Sequence, residues 1–182
     1  MKTKVLFALT LAFSVPAFAM GSPTPPPVLD PTLGIERFYE IVPGLFRGGR
    51  LDDAQRSALK SRYKLRTILN IEDDKGAIKA EIAHARELGI EVISIPLNGN
   101  KNPPEASMDR VEAIMADRSK YPLYVHCKHG RDRTGMAFGI FRVNQQGWSQ
   151  EAAYEEMIEK GFRPFFFKLE REFRERTDHL NR

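Results

Sequence analysis

Residues 123–138 read Leu-Tyr-Val-His-Cys-Lys-His-Gly-Arg-Asp-Arg-Thr-Gly-Met-Ala-Phe. The run from Leu123 to His126 has the branched and aromatic composition of a short buried strand, and a helical pattern opens at Arg133. Cys127 is then the first residue of a tight turn between the two. Backbone N–H groups from Lys128 to Arg133 can curl around a single anion, with the positive end of the helix dipole aimed at the same point. The same field stabilises a thiolate on Cys127. Arg133, where the loop returns toward its start, offers a planar fork for two phosphate oxygens. Thr134 can donate its hydroxyl to the sulfur, and Gly130 and Gly135 permit close backbone approach.

The six fixed residues of His-Cys-x-x-Gly-x-x-Arg-Thr-Gly would arise by chance on the order of once in a million such chains. Residues 126–135 resemble the signature loop of the protein tyrosine phosphatase superfamily, His-Cys-x5-Arg, and share the Arg-Thr-Gly ending of its dual-specificity branch. The resemblance runs from about Ile41 to Phe173. Leu45-Phe46-Arg47-Gly48-Gly49 and Leu69-Asn70-Ile71-Glu72 resemble core strands of the compact dual-specificity phosphatases. Residues 95–101, Ile-Pro-Leu-Asn-Gly-Asn-Lys, are similar to the acid-loop region of plant and fungal atypical members. The resemblance implies a compact α/β fold and a two-step mechanism through a phosphocysteine on Cys127, with no metal and no cofactor.

Such enzymes usually carry a general-acid Asp on a separate loop, and Asn98 stands in that place. Asp132 offers another answer, because Asp-Arg-Thr loops resemble those of myotubularin-type lipid phosphatases and some bacterial phosphatases. Asp132 can equally form an ion pair with Arg131 or Arg133. Glu105, Asp109, Asp73 and Asp74 are the other carboxylates in play, although Asp73 and Asp74, adjacent at a strand end, also suit a solvated turn.

Lys128, Arg131 and His129 can place cations around the attacked phosphate, with Lys101, Arg47 and Arg50 extending the rim. A ring bearing several phosphates uses such cations, whereas a phosphotyrosine does not. The tyrosine phosphatase-like phytases and the atypical members act on inositol polyphosphates, so the first expectation is an inositol polyphosphate (phytate-like) substrate. A protein tyrosine or dual-specificity phosphatase is the alternative, and a non-catalytic phosphate-binding module a third reading. A rhodanese-like sulfurtransferase fits poorly, since its loop is usually shorter.

Outward from the loop, strands are expected at 38–42, 45–47, 67–71, 91–96 and 123–126. Helices are expected at 52–63, 75–88, 107–119, 134–146, 149–160 and 164–180, with Asp52, Ser107 and Ser149 as N-caps. This alternation predicts a mixed, mostly parallel sheet with helices on both faces. Trp148, Phe162, Phe165, Phe166, Phe167 and Phe173 are expected to pack on the core.

The chain of 182 residues, 42% hydrophobic and 29% charged, suits one globular domain. Its start reads as a secretory signal peptide over 1–19: Lys2 and Lys4, an apolar run from Val5 to Val15, then Ala17-Phe18-Ala19. A Pro-rich linker over 20–34 and a domain over 35–182 follow. Removal of Lys2 and Lys4 would bring the formal charge from +4 to +2, too mild to suggest nucleic acid. The resulting expectation is a periplasmic or secreted enzyme without membrane attachment. Its lone thiol, Cys127, can form no internal disulfide.

Overall fold

A computed structural model describes residues 29–178. Eleven regular elements follow in chain order: β1 (Tyr39–Val42), β2 (Leu45–Gly48), α1 (Asp53–Tyr63), β3 (Thr67–Asn70), α2 (Lys75–Glu87), β4 (Glu91–Ser94), α3 (Glu105–Ala116), β5 (Leu123–His126), α4 (Asp132–Gln146), α5 (Gln150–Glu159) and α6 (Phe167–Thr177). The sheet order is β1-β2-β5-β3-β4. β1 runs antiparallel to β2, and the other pairings are parallel. The expected mixed, mostly parallel sheet is therefore present.

Period-two alternation sends successive strand side chains to opposite faces. Leu45, Leu69, Leu123 and Val125 join Met108, Phe138, Met157 and Phe173 in one core, so α3 to α6 cover that face. Phe46, Ile68 and Tyr124 join Leu59 and Ala85 in the other, covered by α1 and α2. The central strand β5 is buried throughout, and its carboxyl end delivers Cys127 where ligands of such sheets bind.

Several boundaries differ from the sequence reading. Helix α3 starts at Glu105 rather than Ser107, because Pro104 occupies its N-cap in extended conformation and its carbonyl accepts from the Ser107 N–H. Helix α4 starts two residues before the expected Thr134, at Asp132. Asp52 and Ser149 cap α1 and α5 as expected. The linker expectation over 20–34 fails at its end. Leu29 N–H donates to the Phe38 carbonyl at 2.8 Å, and Leu29 and Leu33 pack on the second core, since both have apolar surface to bury. The expected signal peptide, the earlier part of the expected linker and the expected helix end at Leu180 lie outside the described residues.

The aromatic stripe divides. Phe162 and Phe173 are buried, but Phe165 and Phe167 are 64% and 63% exposed. Helix α6 begins only at Phe167, and its inward stripe is Leu169, Phe173 and Thr177 at helical spacing. Phe165 and Phe166 therefore belong to the preceding turn. Trp148 is half-buried under the Arg142 guanidinium, 4.2 Å from its ring centroid.

Candidate active site

Cys127 follows β5 directly and is 3% exposed. Gly130 sits at φ +64°, and a Cβ there would lie 2.4 Å from the backbone of Gly48, so only glycine fits. The loop is tied down on its outer side. Lys128 O accepts from the Arg50 N–H at 3.1 Å, His129 O from Arg37 Nη1 at 3.0 Å and Gly130 O from Arg47 Nη2 at 3.0 Å. In trans peptides a C=O and the following N–H point in opposite directions. Holding these carbonyls outward turns the N–H groups of His129, Gly130 and Arg131 inward, as an anion cradle requires.

A cleft of about 190 Å³ opens over the cysteine. Cys127, His129, Asp132 and Arg133 from the loop line it, together with Asp73, Asn98, Gly99, Asn100, Arg163 and Phe166. Arg133 Nη1 donates to Asp73 Oδ1 at 2.6 Å and to Leu97 O at 2.9 Å. Asn98 Nδ2 donates to Asp73 Oδ2 at 3.0 Å. Asp73 is thus tied to Arg133, whereas its neighbour Asp74 caps α2 and pairs with Arg50.

Asp132 pairs with neither arginine expected from the sequence. Its Oδ1 accepts from Arg163 N–H at 3.1 Å and Nε at 3.3 Å, and its Oδ2 accepts from Arg163 Nη2 at 2.8 Å. The Asp132 hydrogen bond holds the Arg163 guanidinium above its ordinary value against the opposing effect of burial, and Cys127 adds to the rise. The Arg163 guanidinium also covers the rings of Phe165 and Phe166, at 5.1 and 4.7 Å.

The expected cationic rim is redistributed. Lys128 is exposed and Arg131 half-buried, with its stem packed beside Gly161; neither lines the cleft. Lys101 is exposed and also outside it. Arg50 is bound bidentately by the buried Glu72, whose hydrogen bond raises the guanidinium above its ordinary value. Arg47 is 1% exposed and lies beneath the loop. The Thr134 hydroxyl is buried and has no hydrogen-bond partner, so the expected bond to the Cys127 sulfur is not formed. Gly135 faces the Phe162 ring, and a Cβ there would meet it at an ordinary contact distance of 3.5 Å, so no close approach depends on this glycine. Glu105 and Asp109 lie on α3, outside the cleft.

On the opposite face, His126 Nε2 lies 3.1 Å from Glu81 Oε1, and its Nδ1 is 3.3 Å from the Cys127 carbonyl. Burial works against the Glu81 charge, but His126, Asn70 and Arg56 together outweigh it and hold the carboxyl below its ordinary value. Arg163, Phe166 and Glu81 escaped sequence reasoning. Nothing local distinguishes them from other arginines, phenylalanines and helix glutamates.

A thiol at the end of the central strand, an arginine six residues on and an inward-facing amide loop between them characterise a cysteine phosphatase, a phosphoric monoester hydrolase. The chain belongs to the tyrosine phosphatase family, whose model matches residues 32–176. It is 30% identical over 167 residues to the dual specificity protein phosphatase TpbA of Pseudomonas aeruginosa strain UCBPP-PA14, covering 85% of this chain and 72% of that protein. Inositol diphosphatase SIW14 of Saccharomyces cerevisiae is 26% identical over 147 residues, 79% of this chain and 51% of its own length. The crystal structure of P. aeruginosa TpbA superposes with TM-score 0.67 at 26% identity, covering 84% of this chain and 91% of that one. The S. cerevisiae SIW14 catalytic core in complex with citrate gives 0.64 at 25% identity, covering 70% and 77%.

Proposed function

We propose that this phosphatase acts on aromatic phosphomonoesters, with protein phosphotyrosine as the natural class of substrate. The observation carrying this reading is Phe166, which forms a wall of the same cleft as Cys127 and Arg133, whereas Lys128, Arg131 and Lys101 stand outside it. An aromatic wall suits an aromatic ring that follows its phosphate into the loop. A TpbA variant has been crystallised in complex with pTyr, which supports the same direction.

In the first step the Cys127 sulfur attacks phosphorus, an S–P bond forms and the bond to the leaving oxygen breaks. Arg133 and the loop amides stabilise the equatorial oxygens. Asp132 gives the leaving oxygen its proton. The Arg163 side chain is 40% exposed, so a substrate anion can draw it away and free the carboxyl, while Arg133 has to remain in place. In the second step water attacks phosphorus and passes its proton to Asp132, and the S–P bond breaks to release inorganic phosphate and the thiolate. Thr134, with its hydroxyl unengaged, is available to hold that sulfur.

The second reading, an inositol polyphosphate substrate, is favoured by Arg163, a cation outside the loop that faces the cleft, and by the relatives named inositol diphosphatases. Comparison of kcat/KM for a phosphotyrosine peptide and for phytate separates the two. The peptide is expected to be preferred, and efficient phytate turnover with little on the peptide would overturn the assignment. Export to the periplasm or medium, proposed from residues 1–19, suits either substrate.

A further inference from the structure

Arg47 is a costly way to fill space. It sits on β2, 1% exposed, with its guanidinium 5.3 Å from the Phe138 ring centroid. Its Nε has no hydrogen-bond partner, and neither has the buried Lys160 Nζ. Arg142 and Lys160 share this layer with one buried carboxylate among the described residues, Glu156, which Arg142 takes bidentately at 2.7 and 2.8 Å. Three cations therefore face one acid in the core. Burial accordingly pulls the Arg47 guanidinium down to about 10, although Glu156 and then Cys127 support its charge. An apolar side chain of similar volume would fill such a place at no electrostatic cost.

What Arg47 gains is a contact with the catalytic loop. Its Nη2 holds the Gly130 carbonyl at 3.0 Å, and that peptide carries the Arg131 N–H. Backbone crowding restricts the same glycine, since Gly48 and Gly49 close its other side. Arg37 and the Arg50 N–H hold the neighbouring carbonyls from more exposed positions. Arg47 alone does so from within the core.

We infer that Arg47 is a positioning residue for phosphoryl transfer: it locks the Gly130–Arg131 peptide with its N–H toward the phosphate and places a fixed positive charge beneath the loop. Charge develops on the equatorial oxygens and moves off the sulfur during reaction, so a donor fixed in advance favours the transition state over bound substrate. The inference rests on the Cys127 cleft being the active site. Complete loss of turnover in Cys127→Ser establishes that separately.

The test compares Arg47→Met, Arg47→Lys and wild type on p-nitrophenyl phosphate, with orthovanadate as transition-state probe. Arg47→Met is expected to stay folded by circular dichroism, to lose about 10- to 100-fold in kcat and to lose orthovanadate affinity by a similar factor, somewhat less than direct loss of an oxyanion donor. Its KM should stay within about threefold, because ground-state binding is nearly unaffected. Arg47→Lys should recover most of kcat. Should the Met variant fail to fold, Arg47→Gln, too short to reach the Gly130 carbonyl, carries the same expectation. Tyr124→Phe, which removes a 2.6 Å bond to the Gly49 carbonyl on the other face, is the comparison for stability loss alone and should keep kcat. A folded Met or Gln variant with kcat near wild type, a change confined to KM, or a Lys variant as slow as Met would each overturn the inference.

Discussion

The Asp73 carboxylate rests on the Arg133 guanidinium, with 2.6 Å between Oδ1 and Nη1. The same nitrogen donates to Leu97 O at 2.9 Å. Acceptors following β3 and β4 thus hold one corner of the fork, leaving its other donors for an anion above Cys127. A carboxylate in this position orients the arginine, while Asp132 stands across the cleft on Arg163. The two acids are expected to fail differently. Asp132→Asn should lose about 10²- to 10⁴-fold in kcat/KM on an alkyl phosphate, the usual scale for a general acid, and much less in kcat/KM on p-nitrophenyl phosphate, whose leaving group needs no proton, while kcat, which includes the shared hydrolysis step, falls on both. Asp73→Asn should slow both substrates by a common factor. A leaving-group dependence confined to Asp73→Asn would transfer the acid role to that residue.

Cys127→Ser should abolish turnover while leaving the melting temperature within a few degrees of wild type, because the change is nearly isosteric. Phosphate release assayed with p-nitrophenyl phosphate checks this. Measurable steady-state turnover in the purified variant would rule out the phosphocysteine route.

Phe166 and Arg163 should separate the substrate classes. Phe166→Ala is expected to lower kcat/KM for a phosphotyrosine peptide by about tenfold, corresponding to an aromatic contact of roughly 1–1.5 kcal/mol, and to leave phytate hydrolysis little changed. Arg163→Ala should weaken phytate turnover more than peptide turnover. Steady-state kinetics on both substrates decides, and a Phe166→Ala loss of equal size on both would assign the ring to shaping the loop.

The Glu81 carboxyl is held below its ordinary value in the folded chain. A depressed folded value contributes stability above the unfolded value of 4.5, and the contribution is lost as pH falls through the lower, folded value. Urea unfolding should therefore show stability declining from about pH 5 downward, and Glu81→Gln should flatten that decline. At pH 7 the variant should be less stable by about 3 kcal/mol, as expected when one partner of a buried polar pair is removed. An unchanged acid limb in the variant would remove Glu81 from the pH response.

If residues 1–19 are a signal peptide, N-terminal sequencing of the protein from its native host should begin at Met20. A start at Met1 in material from the cell interior would refute export.

The chemistry was written locally. Residues 126–135 lie in one strand, one turn and one helix start, so their order fixes which atoms share the cradle. The periodicity of the flanking segments was enough to place the loop after a buried strand of a mostly parallel sheet, but not to make that strand the central one. The rest depends on residues far apart in the chain. Arg133 meets Asp73 across 60 positions, Asp132 meets Arg163 across 31 and Arg47 meets Gly130 across 83. Alternation along β2 says that Arg47 and Phe46 face opposite ways, but not that the arginine side is the buried underside of the loop. Likewise nothing in Phe165-Phe166-Phe167 tells which ring joins the cleft, because the answer depends on where α6 begins. Side-chain direction within a strand is set by a two-residue period. Which partner waits there is set only when the sheet order β1-β2-β5-β3-β4 and the packed helices bring distant segments together, since the strength of a charge contact depends on distance and burial and not on separation along the chain.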